Sequence, residues 1–163
     1  MSGIMGGVKA GVIMGLIAGI LGGIIQVVDA IPVLNLLVCL ALPFTFGCLY
    51  FLFPIITGAL SVMFAKSEIR SVADGAIAGI VGGVFYAIIS WIIGVIVGVV
   101  IFILAQLLGF AAGWGDLSTA VKEFLVENVL FSIIGLVITL AAGIFWSVLA
   151  GAVYTLLAIK PSA

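Results

Sequence analysis

The chain alternates long apolar runs with brief polar punctuation, and each run is longer than the core of a small water-soluble domain requires. No charge lies between Lys9 and Asp29, from Ala30 to Ala65, from Gly75 to Gly115, or from Asn128 to Ile159. A membrane-crossing helix needs about 20 mostly apolar residues, so the first run predicts a span over Val8 to Val28, closed by Asp29 and by the helix-disfavouring Ile31-Pro32 step. The second run carries Pro32, Pro43 and Pro54. As one helix it would exceed ~50 Å against a hydrocarbon core of ~30 Å. It predicts a half-helix or re-entrant piece over Val33 to Leu42, a break near Pro43, and a kinked span from about Phe44 to Ala65. The third run reaches Leu108, which predicts a tilt, or a bend or break near Gly94 and Gly98.

After a loop from Gly109 to Gly115 bearing Trp114, the periodicity becomes amphipathic over residues 116–128. Leu117, Val121, Phe124, Leu125 and Asn128 share one helical face and Asp116, Lys122, Glu123 and Glu127 the other. This pattern predicts a short helix on the membrane surface. A last span is expected from about Val129 to Ile159.

Glycine is the second pattern. Gly3, Gly7, Gly11, Gly15, Gly19 and Gly23 fall at every fourth position of the first span. Gly75, Gly79 and Gly83 repeat the step in the third, flanked by Ser71 and Ala87, and Gly135, Thr139, Gly143, Ser147, Gly151 and Thr155 repeat it in the last. Glycine inside a helix costs roughly 0.5–1 kcal/mol relative to alanine, so a regular stripe needs a compensating contact. In lipid that contact is close helix packing, because small residues let backbones approach where no hydrophobic force drives association. A step of four turns about 400°, so the stripe drifts about 40° per step. The expectation is therefore a steeply crossing partner, or two neighbours met in succession, rather than one parallel helix.

Composition agrees with the pattern. With 66% hydrophobic and 7% charged residues and a mean hydropathy of +1.62, the chain lies far from soluble norms of about 25% charged. Its 163 residues leave room for about four spans and no separate soluble domain. A net charge of −1 without a basic cluster argues against nucleic acid and anionic headgroups as partners. With no histidine, and with Cys39 and Cys48 outside any ligand spacing, no metal or cofactor is expected. Lys9 ahead of an apolar stretch superficially suits a signal peptide, but the run is longer than a typical h-region.

Gly15-Leu-Ile-Ala-Gly19-Ile-Leu-Gly22-Gly23 matches Gly75-Ala-Ile-Ala-Gly79-Ile-Val-Gly82-Gly83, and Gly58 to Ala65 matches Gly151 to Ala158 more weakly. Together these predict an all-α integral membrane domain over 1–163, made of two tandem hairpins, 1–66 and 67–163, in the same orientation. Lys9, Lys66, Arg70 and Lys160 fall on one side and Lys122 on the other, which places both termini in the cytoplasm.

The Ile31-Pro-Val-Leu-Asn-Leu-Leu-Val-Cys39 stretch after a glycine-rich span, followed by Ser71-Val-Ala-Asp-Gly-Ala-Ile-Ala-Gly79-Ile-Val-Gly-Gly83, resembles small prokaryotic four-helix membrane proteins of unknown function. That resemblance implies a prokaryotic cell membrane and no particular activity. Cys39 and Cys48 are fewer cysteines than the resembling pattern carries, which counts against thiol chemistry.

No charge sits mid-span, which argues against a proton-coupled pump or a carrier of charged solutes, and no nucleophile stands in a recognisable catalytic motif. Candidate helix-packing residues are Gly7, Gly11, Gly15, Gly19, Gly23, Gly75, Gly79, Gly83, Gly135, Gly143 and Gly151. Pro32, Asn35 and Pro43 are candidates for a re-entrant or solute-binding segment, and Gln26, Thr45, Thr57, Ser61, Ser90, Gln106, Ser132, Thr139 and Ser147 for interhelical hydrogen bonds. The functional expectation is a non-catalytic membrane subunit, either self-associating as a homo-oligomer or accessory to a complex in the bilayer. The alternative is a channel or carrier for a small neutral solute.

Overall fold

The computed structural model describes residues 3–30, 48–107 and 117–158. Every regular element among them is helical. Helix α1 covers Ile4–Ala30, a π-helical turn at Cys48–Leu52 leads into α2 over Phe53–Phe64, α3 covers Val72–Leu107, and α4 covers Leu117–Ala158. Three stretches are long and apolar enough to cross a bilayer, Ile4–Ile25, Val72–Leu104 and Ile133–Ala158, and a shorter apolar helix occupies Leu49–Phe64. The proposed re-entrant segment with Pro32, Asn35, Cys39, Pro43 and Thr45 lies outside the described residues, as does the loop with Trp114.

Large apolar side chains point outward along every helix: Ile13, Ile17 and Ile20 on α1, Ile77, Ile80 and Ile88 on α3, and Ile134, Val137 and Leu149 on α4 are all exposed. Water-soluble monomers do not present apolar surface on this scale. Lipid is the solvent these faces suit.

The interior is organised by α3, which carries two rows of small or backbone-exposing positions. One row receives α1. A Cβ built on Gly7 would lie 2.6 Å from the Ala78 carbonyl oxygen, one on Gly11 2.5 Å from that of Gly82, one on Gly15 3.0 Å from that of Tyr86, one on Gly19 2.8 Å from that of Ser90, and one on Gly23 3.1 Å from that of Gly94. Both members of each pair advance by four, so α1 and α3 run parallel in constant register. This corrects the expectation that the stripe must be shared between neighbours or crossed steeply. The partner row drifts round α3 at the same rate as the glycines drift round α1, so two helices that wrap about each other keep the rows facing.

The other row of α3 receives α4 with the opposite sense. Gly75 meets Gly151 and Thr155, Gly79 meets Ser147, and Gly83 meets Gly143, so the positions rise on one helix as they fall on the other. The α3–α4 pair is antiparallel. Helix α2 completes the bundle, with Gly6 of α1 against Ser61 and Ala65 and Gly58 against the Ser147 backbone. Met14, Ala18, Tyr86 and Ala87 form one buried cluster and Val62, Ala65, Ile69 and Ala78 another.

The structure narrows one further expectation and overturns another. No break interrupts α3 at Gly94 or Gly98, and its 36 residues form one helix. Gly94 serves packing there, its carbonyl lying against Gly23. The amphipathic segment at 116–128 is not a separate helix but the start of the 42-residue α4. Between Leu117 and Ile134 there is neither proline nor glycine to end it. The matched segments also have different neighbours: Gly15 and Gly19 meet α3, whereas Gly75 and Gly79 meet α4.

The packing makes a contrast within one helix. Gly11 abuts backbone and cannot accommodate a methyl group without a shift, whereas nothing lies within 4 Å of a Cβ on Gly22. Gly11→Ala should lose about 1–3 kcal/mol through overpacking, while Gly22→Ala should gain about 0.5–1 kcal/mol from helix propensity. Reversible unfolding in mixed micelles measures both. Equal effects at the two sites would disprove the packing assignment.

Candidate functional site

The most concentrated polar chemistry among the described residues surrounds the π-helical turn that leads into α2. Pro54 has no amide hydrogen, and its ring crowds the carbonyl four residues back. The chain responds with the π-helical turn over Cys48–Leu52, which widens the helix before α2 begins. In the π pattern a carbonyl bonds the amide five residues on, and for Leu49 that residue is Pro54. The Leu49 carbonyl therefore needs another donor. Tyr86 supplies it, donating its hydroxyl proton from α3 to the Leu49 oxygen. Tyr86 is only 1% exposed and packs among Met14, Ala18 and Ala87, so the ring fills the core while the hydroxyl mends the backbone.

Just beyond the turn, the Ser147 hydroxyl of α4 donates to the Pro54 carbonyl at 2.7 Å. Thr57 donates to the Phe53 carbonyl and Ser61 to that of Thr57, each at 2.7 Å and within α2. Thr57, Ser61 and Ser147 are fully buried. Gly82 of α3 lies against the Ser61 hydroxyl and the Thr57 methyl, and Gly58 lies against the Ser147 backbone. Small residues on α3 and α2 thus make the room in which these hydroxyls sit. Each hydroxyl proton is engaged by a backbone carbonyl: Thr57 and Ser61 are satisfied within α2, and Ser147 ties α4 to α2, so none of these donors is left unpaired in a medium where that is costly.

A second polar group lies at the end of the bundle where α1 starts. Gly3, at φ +90°, donates its amide to the Glu68 carboxylate at 3.0 Å. Ser71 and Asp74 cap α3 reciprocally: the Asp74 carboxylate accepts the Ser71 amide at 3.0 Å, and the Ser71 hydroxyl accepts the Asp74 amide at 3.2 Å. Arg70 also gives its amide to Asp74, at 3.1 Å. Lys9, Lys66 and Arg70 are exposed around this end. These bonds fix the loop between α2 and α3 to the start of α1.

Of the candidate packing glycines, Gly7, Gly11, Gly15, Gly19, Gly23, Gly75, Gly79, Gly83, Gly143 and Gly151 all face another helix at backbone distance. Gly135 does not, having nothing within 4 Å of its Cβ position. Among the polar candidates, Thr57, Ser61, Ser90 and Thr139 bond their own helices, and Ser147 bonds across to another. The side chains of Gln26, Gln106 and Ser132 lie outside those described. Sequence reasoning passed over Tyr86 and the Ser71–Asp74 cap. Both had a signal: a tyrosine deep in an uncharged run needs an acceptor, and Ser-x-x-Asp ahead of an apolar run is a cap pattern.

No protein-family model, curated protein or solved structure matches the chain.

Removing the Tyr86 hydroxyl should expose its role. Tyr86→Phe keeps the ring but leaves the Leu49 carbonyl unpaired, at about 1–3 kcal/mol. Deuterium exchange in lipid nanodiscs should accelerate at residues 48–53 and leave the α1–α3 seam unchanged. No local acceleration would show that the hydroxyl is not the latch.

Proposed function

We infer that this protein is a non-catalytic, multi-pass membrane subunit, acting as an accessory component of a membrane complex or as a self-associating assembly. The observation that carries this reading is the way its conformational resources are used. The glycine rows bring α1, α3 and α4 to backbone contact, and the buried hydroxyls on and beside α2 are engaged by carbonyls. Such an interior supports a rigid membrane scaffold. Because the rows on α1 and α3 face inward within one chain, partners would meet the outward apolar faces instead.

A prokaryotic cell membrane with four spans is the setting this reading takes, the fourth being the shorter apolar helix at Leu49–Phe64. Lys9, Lys66 and Arg70 gather at the end where α1 and α3 begin. Since α4 runs antiparallel to α3, Lys122 near its start belongs to the opposite end. The positive-inside rule then puts both termini in the cytoplasm.

Gentle extraction from the native membrane, followed by native mass spectrometry, tests the assignment. The reading predicts a defined homo-oligomer or a stable complex with another membrane protein. A monomer that instead conducts a neutral solute into proteoliposomes would replace it with the transport reading. Tags at the two ends should both resist protease added outside intact cells, and cleavage of either would reverse the orientation.

A further inference from the structure

We propose that the end of α3 beyond Val99, remote from the loop between α2 and α3, is a docking ridge for an amphipathic, positively charged segment of another protein, seated outside the hydrocarbon core. The proposal rests on the accessory-subunit reading and names the surface such a subunit would offer.

Charges fix the height of the ridge. On α1, Asp29 follows Lys9 by twenty residues, a rise of about 30 Å that matches a hydrocarbon core. The α1–α3 register sets Gly19 beside Ser90 and Gly23 beside Gly94, so Asp29 stands about level with Val100. Helix α4 gives a second mark. Its register, Gly143 against Gly83 and Ser147 against Gly79, carried along two uninterrupted helices, brings Glu127 about level with Val99 and Glu123 one turn further out. A bilayer raised to cover the end of α3 would draw these carboxylates into hydrocarbon, where charge is expensive. Tilt does not absorb the excess either. The apolar stretch Val72–Leu104 has 33 residues, about 50 Å, and fitting it within ~30 Å would take about 53°, beyond the range of roughly 0–40° that spans adopt.

Apolar side chains nevertheless continue past that height. Ile96, Val100, Leu104 and Leu107 follow one another at steps of four, four and three, which puts them in one row along α3, and Val100 is 50%, Leu104 49% and Leu107 67% exposed. Leu104 lies about 6 Å and Leu107 about 10 Å above Val100, against a headgroup layer of roughly 5–7 Å per leaflet. Lipid tails cover the lower part of the row but not its end. A protein partner suits an apolar ridge in that position, and the spacing suits a helix laid along it. Charge selects which partner. At this end Asp29, Glu123 and Glu127 stand against Lys122 alone, so a segment with lysine or arginine beside its own apolar row is attracted, whereas a second copy of this chain would bring like charges together.

The test places a photo-crosslinking amino acid at Leu104 of the full chain in its native membrane and sequences the cross-linked peptide. The expected result is an adduct with one other protein, through a segment that combines an apolar row with an excess of lysine and arginine. The adduct should be lost when Glu123→Gln and Glu127→Gln are combined. Raised salt should weaken it on the unsubstituted chain, a readout that does not depend on a variant folding. An adduct with a second copy, with lipid alone or with an acidic or uncharged segment overturns the proposal, as does no adduct, or one indifferent to the double substitution or to salt. Native mass spectrometry separates this failure from that of the reading beneath it: a stable complex with another protein but no such adduct removes the ridge and leaves the accessory subunit standing, whereas a monomer removes both.

Discussion

The structure depends on backbone approaching backbone in a medium that gives apolar side chains no reason to associate. In water, burying leucines would hold α1 against α3; in lipid those leucines are equally well solvated outside, and many of them are there. What remains is dispersion at close range, summed over a long seam. Gly7, Gly11, Gly15, Gly19 and Gly23 lay one side of that seam open, and the carbonyls of Ala78, Gly82, Tyr86, Ser90 and Gly94 fill it. The same helix repeats the device on its other row, toward α4, so α3 becomes the axis to which the others attach.

Polar chemistry follows from that geometry. Close packing leaves room for hydroxyls, and among the described residues the buried polar side chains are serine, threonine and one tyrosine. Their hydroxyls go to carbonyls, two of them across helices to the stretch that Pro54 disturbs. The proline, the widened turn and the tyrosine therefore form one unit. Each would be a liability in lipid without the others. One group of charges, by contrast, sits at the bundle end where Glu68 and Asp74 close open backbone amides at the starts of α1 and α3.

Much of this was legible from periodicity. The step of four pointed to the seams, and ten of the eleven glycines it singled out lie in them. The partner was not legible, because one helix's stripe shows how its own contact face drifts but not whether the neighbour drifts with it. Gly135 differs for a related reason: it continues the row on α4, yet nothing lies within 4 Å of a Cβ there, and a stripe is read one helix at a time. Helix limits were least visible where composition changed without a breaker, as at Asn128, where polarity shifts and the helix continues. Pro54 announced a kink, but its repair by Tyr86 joins residues 37 positions apart in the chain.

The parallel, in-register pairing of α1 with α3 is the claim on which the rest stands, and spin-label distances test it most directly. Met5, Leu21, Ile77 and Ile92 are exposed, so labels there leave the seam intact. With Cys39 and Cys48 replaced by serine, pairs at Met5/Ile77 and Leu21/Ile92 should give short and similar separations in lipid. The Met5/Ile92 pair should be longer, because an axial offset of about 20 Å, from ~1.5 Å of rise per residue, combines in quadrature with the lateral separation. A Met5/Ile92 distance shorter than the Met5/Ile77 distance would mean that the helices run in opposite senses, and the account would fail.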